Sequence, residues 1–257
     1  MTTIDLLARA FLACSHETMV LPIILVGYTA LDRRKWGTAI YIMLFTMILS
    51  KFLKNIWQIP LPMHLGIKDY AFPSGHMLFT VTFYGWIMLQ YGHKILAFIC
   101  LGIMLGVTFG LMHFGYHGLR DIFGGIGFGI LTLAIYNYII SKFFADNPEK
   151  IGLLLAPLGL LMIFLMPPIT FLWLPFGALS GFAIGWNITN TTPIPATLRT
   201  KALMLGVSIL GVALLKFAAT LLPASALTIF ITYALVGFWI AVAPRCLPRT
   251  DGRFPRA

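Results

Sequence analysis

The chain has 257 residues, of which 59% are hydrophobic and only 10% charged. A soluble domain normally carries about 25% charge, and no soluble fold hides this much apolar surface. Disordered, collagen-like and small disulfide-stapled classes are excluded as well, which leaves an integral membrane protein.

The apolar runs are too continuous for barrel strands, which alternate at every second residue. They predict membrane helices of roughly 17 to 25 residues. In chain order, residues 3–15 form an interfacial helix or the outer half of the first span. No basic region precedes them, as a cleavable signal requires. Apolar segments follow at 15–31, 36–57, 74–91, 95–112, 121–140, 151–166, 169–189, 202–222 and 226–243. The first is short, and the sixth and seventh meet at Pro167-Pro168. The expected architecture is all-α: a polytopic membrane helix bundle of eight or nine transmembrane helices.

Alternating the spans gathers 12 of the 18 Lys and Arg on one side, including Arg33, Arg34, Lys35, Lys94, Lys142, Lys150, Arg199, Lys201 and the tail after Pro244. The positive-inside rule makes that side cytoplasmic. The net charge of +10 therefore reflects orientation and not a nucleic-acid partner. Gly102, Gly106 and Gly110 recur every four residues, as do Gly177, Gly181 and Gly185. Each series makes a smooth stripe for close helix packing. Cys14, Cys100 and Cys246 have no metal-ligand spacing and are assigned no role. Asn187 and Asn190 open glycosylation sequons, but at a cytoplasmic end.

Lys51, Lys54, Lys68 and Arg120 defy this bias, lying in or beside the outer loops between spans two and three and spans four and five. The same loops hold His64, His76, His113 and His117, four of the six histidines. His117 and Asp121 are four apart and share a helix face. The carboxylate there can hold one ring nitrogen and leave the other as nucleophile or base. His76 follows Ser74-Gly75 at the start of a helix, where free amides suit an anion. Lys54 adds a fixed positive charge. Together these groups describe a phosphate site.

Their pattern resembles the type 2 phosphatidic acid phosphatase superfamily over residues 51 to 129. The middle motif stands as Phe72-Pro73-Ser74-Gly75-His76. His117 and Asp121 keep the spacing of the third motif, and Lys54 and Pro62 occupy the ends of the first. The resemblance implies a catalytic core in spans two to five. It implies that His117 attacks phosphorus, Asp121 orients it, and His76 protonates the leaving group and then activates water or an acceptor hydroxyl. Lys54, Ser74 and Gly75 would hold the phosphoryl oxygens.

Two departures stand out. Leu61 and Leu111 occupy the places of the two motif arginines, and Gly110 replaces the preceding serine. Arg120, Lys68 and Lys51 are the expected substitutes, Arg120 first, with His113 and His64 as further candidates. Alternatively, a phosphodiester substrate would need fewer cations. No metal or cofactor is expected, since side chains supply both proton transfer and charge neutralisation.

The expected organisation is an N-terminal segment and first span (1–35), a phosphatase-like core (36–145) and a transmembrane extension with a basic cytoplasmic tail (146–257). The expected function is hydrolysis or transfer of the phosphoryl headgroup of a membrane lipid through a phosphohistidine. A headgroup phosphotransferase acting on phosphodiesters is the alternative, and a small-anion transporter a distant one. The expected partners are the lipid phosphate and the bilayer, without nucleic acid. The expected location is the bacterial inner membrane, with the site on the periplasmic or outer side. Neither the lipid nor the oligomeric state is legible.

Overall fold

The computed structural model describes residues 2–63, 66, 69–189 and 197–245. His64, Lys68, Asn190, Cys246 and the basic tail lie outside the described residues. Those described form helices and no β-strand: α1 (Thr3–Ala13), α2 (Glu17–Val26), α3 (Arg33–Trp57), α4 (Gly75–Tyr91), α5 (Lys94–His113), α6 (Leu119–Phe143), α7 (Gly152–Phe164), α8 (Trp173–Thr189), α9 (Leu198–Thr220) and α10 (Ala226–Val242). The expected all-α bundle is the observed one. Among the described residues six helical stretches are at least 18 residues long and apolar enough to cross a membrane: α3, α5, α6, α9, and α8 and α10 together with the 3-10 turns that adjoin them (Thr170–Thr189 and Ala226–Arg245); α1, α2, α4 and α7 are shorter.

Side chains of the expected types cap several helices. Asp32 accepts the amides of Arg34 and Lys35 at 2.9 and 3.0 Å and starts α3. Ser74 caps α4, Thr197 caps α9 and Ser225 caps α10. A left-handed Gly92 ends α4, a conformation that glycine adopts without steric cost.

Contacts between the helices gather at two ends of the bundle. At one end Trp36 donates to Tyr91 Oη, Tyr41 to the Glu149 carbonyl, and Asn187 to the same carbonyl. At the other end Ser74 meets Asp121, and His16 meets His76. Phe98, Leu105, Phe123 and Phe217 point outward from α5, α6 and α9. Such surface is stable against lipid tails and not against water.

Glycines set the closest approaches. A Cβ on Gly181 would lie 1.8 Å from the Ala234 carbonyl oxygen, and Gly177 and Gly185 meet α10 in the same way. The second predicted stripe is thus the seam between parallel α8 and α10. Gly106 and Gly110 receive Phe11, Leu12 and Ala8 of α1, whereas Gly102 faces open space.

Candidate active site

The site forms where α3, α4 and α6 converge. Gly75 lets α4 start against α3, because a Cβ there would stand 2.6 Å from Ser50 Oγ. Gly125 does the same for α6: its Cβ would be 2.7 Å from the Ser74 carbonyl oxygen and from Met77 Cβ. The Ser74 amide donates to the Asp121 carbonyl at 2.9 Å. The first turns of the two histidine-bearing regions are thereby locked together.

Asp121 is buried and accepts the Gly118 amide at 3.1 Å through Oδ2. The same oxygen lies 3.7 Å from His117 Nδ1, beyond hydrogen-bonding distance. His117 Nδ1 and Asp121 Oδ1 are both buried without a hydrogen-bond partner among the described residues. With Nδ1 turned to Asp121, Nε2 is the nitrogen left for chemistry. Burial pushes the His117 imidazole below its ordinary pKa; the Lys54 charge adds to this and Asp121 opposes it. The ring is therefore neutral at neutral pH, with a lone pair available.

Lys54 is buried, donates to the Tyr70 carbonyl and lies 3.7 Å from Asp69 Oδ2. Lys51 pairs with the same oxygen at 2.6 Å. The connecting loop is folded back on itself by Leu61 N to Asp69 O (3.0 Å) and Ala71 N to Ile59 O (2.6 Å), which fixes Asp69 beside both lysines. Burial raises the Asp69 pKa, but the Lys51 hydrogen bond and the Lys54 charge outweigh it and hold the carboxyl below its ordinary value.

His76, His117, Lys54, Lys51 and Gly75 all line one cavity of about 760 Å³. It continues away from the histidines as an apolar chamber bounded by Met43, Met47, Ile24, Phe182, Val212 and Ile240. Helices α8 to α10, which carry no motif, thus wall the space below the motif residues. Ser74 and Asp121 stand behind the lining and position it.

Several predicted residues lie elsewhere. Arg120 was the first substitute for the lost arginines. Its side chain is 67% exposed, lies over the Phe72 ring and is absent from the cavity wall. Neighbours on a helix point about 100° apart, so an inward Asp121 turns Arg120 outward. His113 also faces away and pairs with Asp5 at 2.8 Å. His64 and Lys68 are outside the described residues.

The cavity instead has two further cations, Arg9 and Lys216, and a third histidine, His16, with its ring 5.3 Å from that of His76. Arg9 and Lys216 are the two of the 18 Lys and Arg that belong neither to the cytoplasmic set nor to the two outer loops. His16 had no sequence signal.

Residues 35–145 match the PAP2 superfamily. The matched stretch contains α4 and α5, nearly all of α3 and the whole of α6, the helices that carry or flank the histidine motifs. This match supports membership of the PAP2 superfamily, whose members are phosphatases and phosphotransferases of the lipid phosphatase type. Together with its apolar helices, this makes it an integral membrane enzyme of that general kind. No curated protein and no solved structure matches the chain.

Proposed function

We propose that the protein cleaves or transfers the phosphoryl headgroup of a membrane lipid through a phosphohistidine on His117. The observation that carries this is the single cavity in which the two motif histidines and Lys54 share a wall with an apolar chamber. An apolar pocket with a few convergent polar groups is the usual form of a ligand site. Here it matches a phosphate with a hydrocarbon tail.

Neutral His117 Nε2 attacks phosphorus, and the P–O bond to the lipid alcohol breaks. His76 gives its proton to the departing oxygen. The positive charge that develops on His117 is stabilised by Asp121, which closes from 3.7 Å as the ring becomes cationic. His76, now neutral, takes a proton from water or an acceptor alcohol, which attacks the phosphohistidine and restores His117. Lys54 and the first-turn amides of α4 face the equatorial oxygens, where charge accumulates.

The opposite end of the bundle bears Arg33, Arg34, Lys35 and Lys94. By the positive-inside bias the site then opens on the outer face of a bacterial inner membrane, and the C-terminus is cytoplasmic. Detergent-purified protein given a labelled panel of lipid monoesters, diesters and pyrophosphates tests the reading, with free phosphate and new lipid products both scored. Turnover that falls at least about a thousandfold in His117→Ala is expected for a nucleophile within a coupled unit. Near-normal turnover in that variant, or none by the wild type on any substrate, overturns it.

A further inference from the structure

The two departures from the third motif have a common structural consequence. Leu111, in the arginine's place, is fully buried and packs in one cluster with Leu12 of α1 and with Met77, Val107 and Ile122. At Gly110, in the serine's place, a Cβ would stand 2.7 Å from Leu12 Cγ and 2.9 Å from the Ala8 carbonyl oxygen. A serine at 110 would press on the α1 backbone at Ala8, and an arginine at 111 would take from Leu12 the apolar partner it packs on. Leucine and glycine together form its seat.

The seat is reinforced along the helix. Asp5 pairs with His113 at 2.8 Å. Phe11 fills the space over Gly106. Tyr84 Oη donates to the Cys14 carbonyl at 2.8 Å. Docked in this way, α1 places Arg9, next to Ala8 and three residues before Leu12, on the wall of the cavity that the histidines also line, as an exposed side chain at its rim. Its guanidinium lies 5.2 Å from the Phe114 ring centroid, a cation–π contact that orients the planar fork.

We infer that α1 is a working part of the site, and that Arg9 supplies the guanidinium contact to the phosphoryl oxygens that positions 61 and 111 lack. This inference rests on the phosphoryl-transfer reading for the identity of its ligand. The same substitutions that delete an arginine from α5 create the surface that delivers another from α1. Guanidinium suits the task because it remains charged and binds two oxygens at once. Since α1 precedes residues 35–145, no motif within that region reveals it.

The test uses the full chain in detergent, with orthovanadate as a phosphoryl analogue, binding being read by thermal shift and calorimetry. Arg9→Ala should weaken vanadate binding by about 10- to 100-fold, the range for one charge-assisted contact. Arg9→Lys should fall between, having the charge without the fork. Leu61→Arg should restore binding in the Arg9→Ala background, because Leu61 lines the same cavity. Arg9→Ala that binds vanadate like the wild type overturns the inference, and so does a wild type that does not bind vanadate. Lipid-phosphate turnover that needs His117 but not Arg9 removes the inference and leaves the function standing. Vanadate binding that needs Arg9, without turnover of any lipid phosphate, supports the anion site and removes the function.

Discussion

Gly125 and Ser74 touch so closely that a Cβ on the glycine would come within 2.7 Å of the serine carbonyl oxygen. The obstacle is backbone, so it cannot rotate away. Gly125→Ala should push α6 off the first turn of α4, stretch the Ser74–Asp121 bond and separate the two histidines. A stability loss of about 1–3 kcal/mol is expected from such overpacking, with a fall in turnover greater than the stability loss explains. Gly102→Ala is the control, since nothing lies near its Cβ; it should be neutral or slightly stabilising. Thermal unfolding and lipid-phosphate turnover of both variants check the contrast.

The pH dependence should carry the signature of His117. Its folded pKa is below the ordinary value, chiefly through burial, so the lone pair survives acidification past the usual histidine midpoint of about 6.5. The acid limb of kcat/KM should therefore fall below that midpoint. Asp121 opposes the lowering, so Asp121→Asn should move the limb further down while slowing the reaction. Stability has the same sign. The contribution of this group is complete above the unfolded midpoint and declines as pH falls toward the folded value, because the unfolded chain takes the proton first. A limb that moves up in Asp121→Asn would contradict the proposed pairing.

Asp69 tempers the positive end of the cavity by neutralising parts of two lysines. Asp69→Asn should release the full field of Lys51 and Lys54 and tighten vanadate binding several-fold. A Ki measured against turnover decides this. Weaker inhibition would mean that Asp69 matters more for holding the lysines in place than for offsetting their charge.

The chamber should set the preference for chain length. Met43 lines it and is seven residues, about two helical turns, before Ser50 on α3. Met43→Trp should obstruct long hydrocarbon tails while leaving short-chain phosphate esters nearly untouched. A KM that rises selectively for long chains is the expected result. Equal losses for both would place the tail outside the bundle.

The sequence alone determined the parts that local spacing encodes. Continuous apolar runs fixed the all-helical membrane bundle, since a backbone in lipid must satisfy its own hydrogen bonds. A four-residue interval brought His117 and Asp121 together, although His117 stands just before α6 and not on a shared helix face, and Ser74 announced the start of the helix carrying His76. The glycine stripes were legible as packing surfaces, although their partners were not. Tertiary structure decided what surrounds these groups. Arg120 is close to His117 in sequence yet leaves the site, because adjacent helical residues diverge. Arg9 and Lys216 are far apart in sequence yet share the cavity, because α1 docks on α5 and α9 closes against α10. That difference has one physical cause: helix periodicity acts over a few residues, whereas the charge around a buried phosphate site is set by which distant helices the packing brings together.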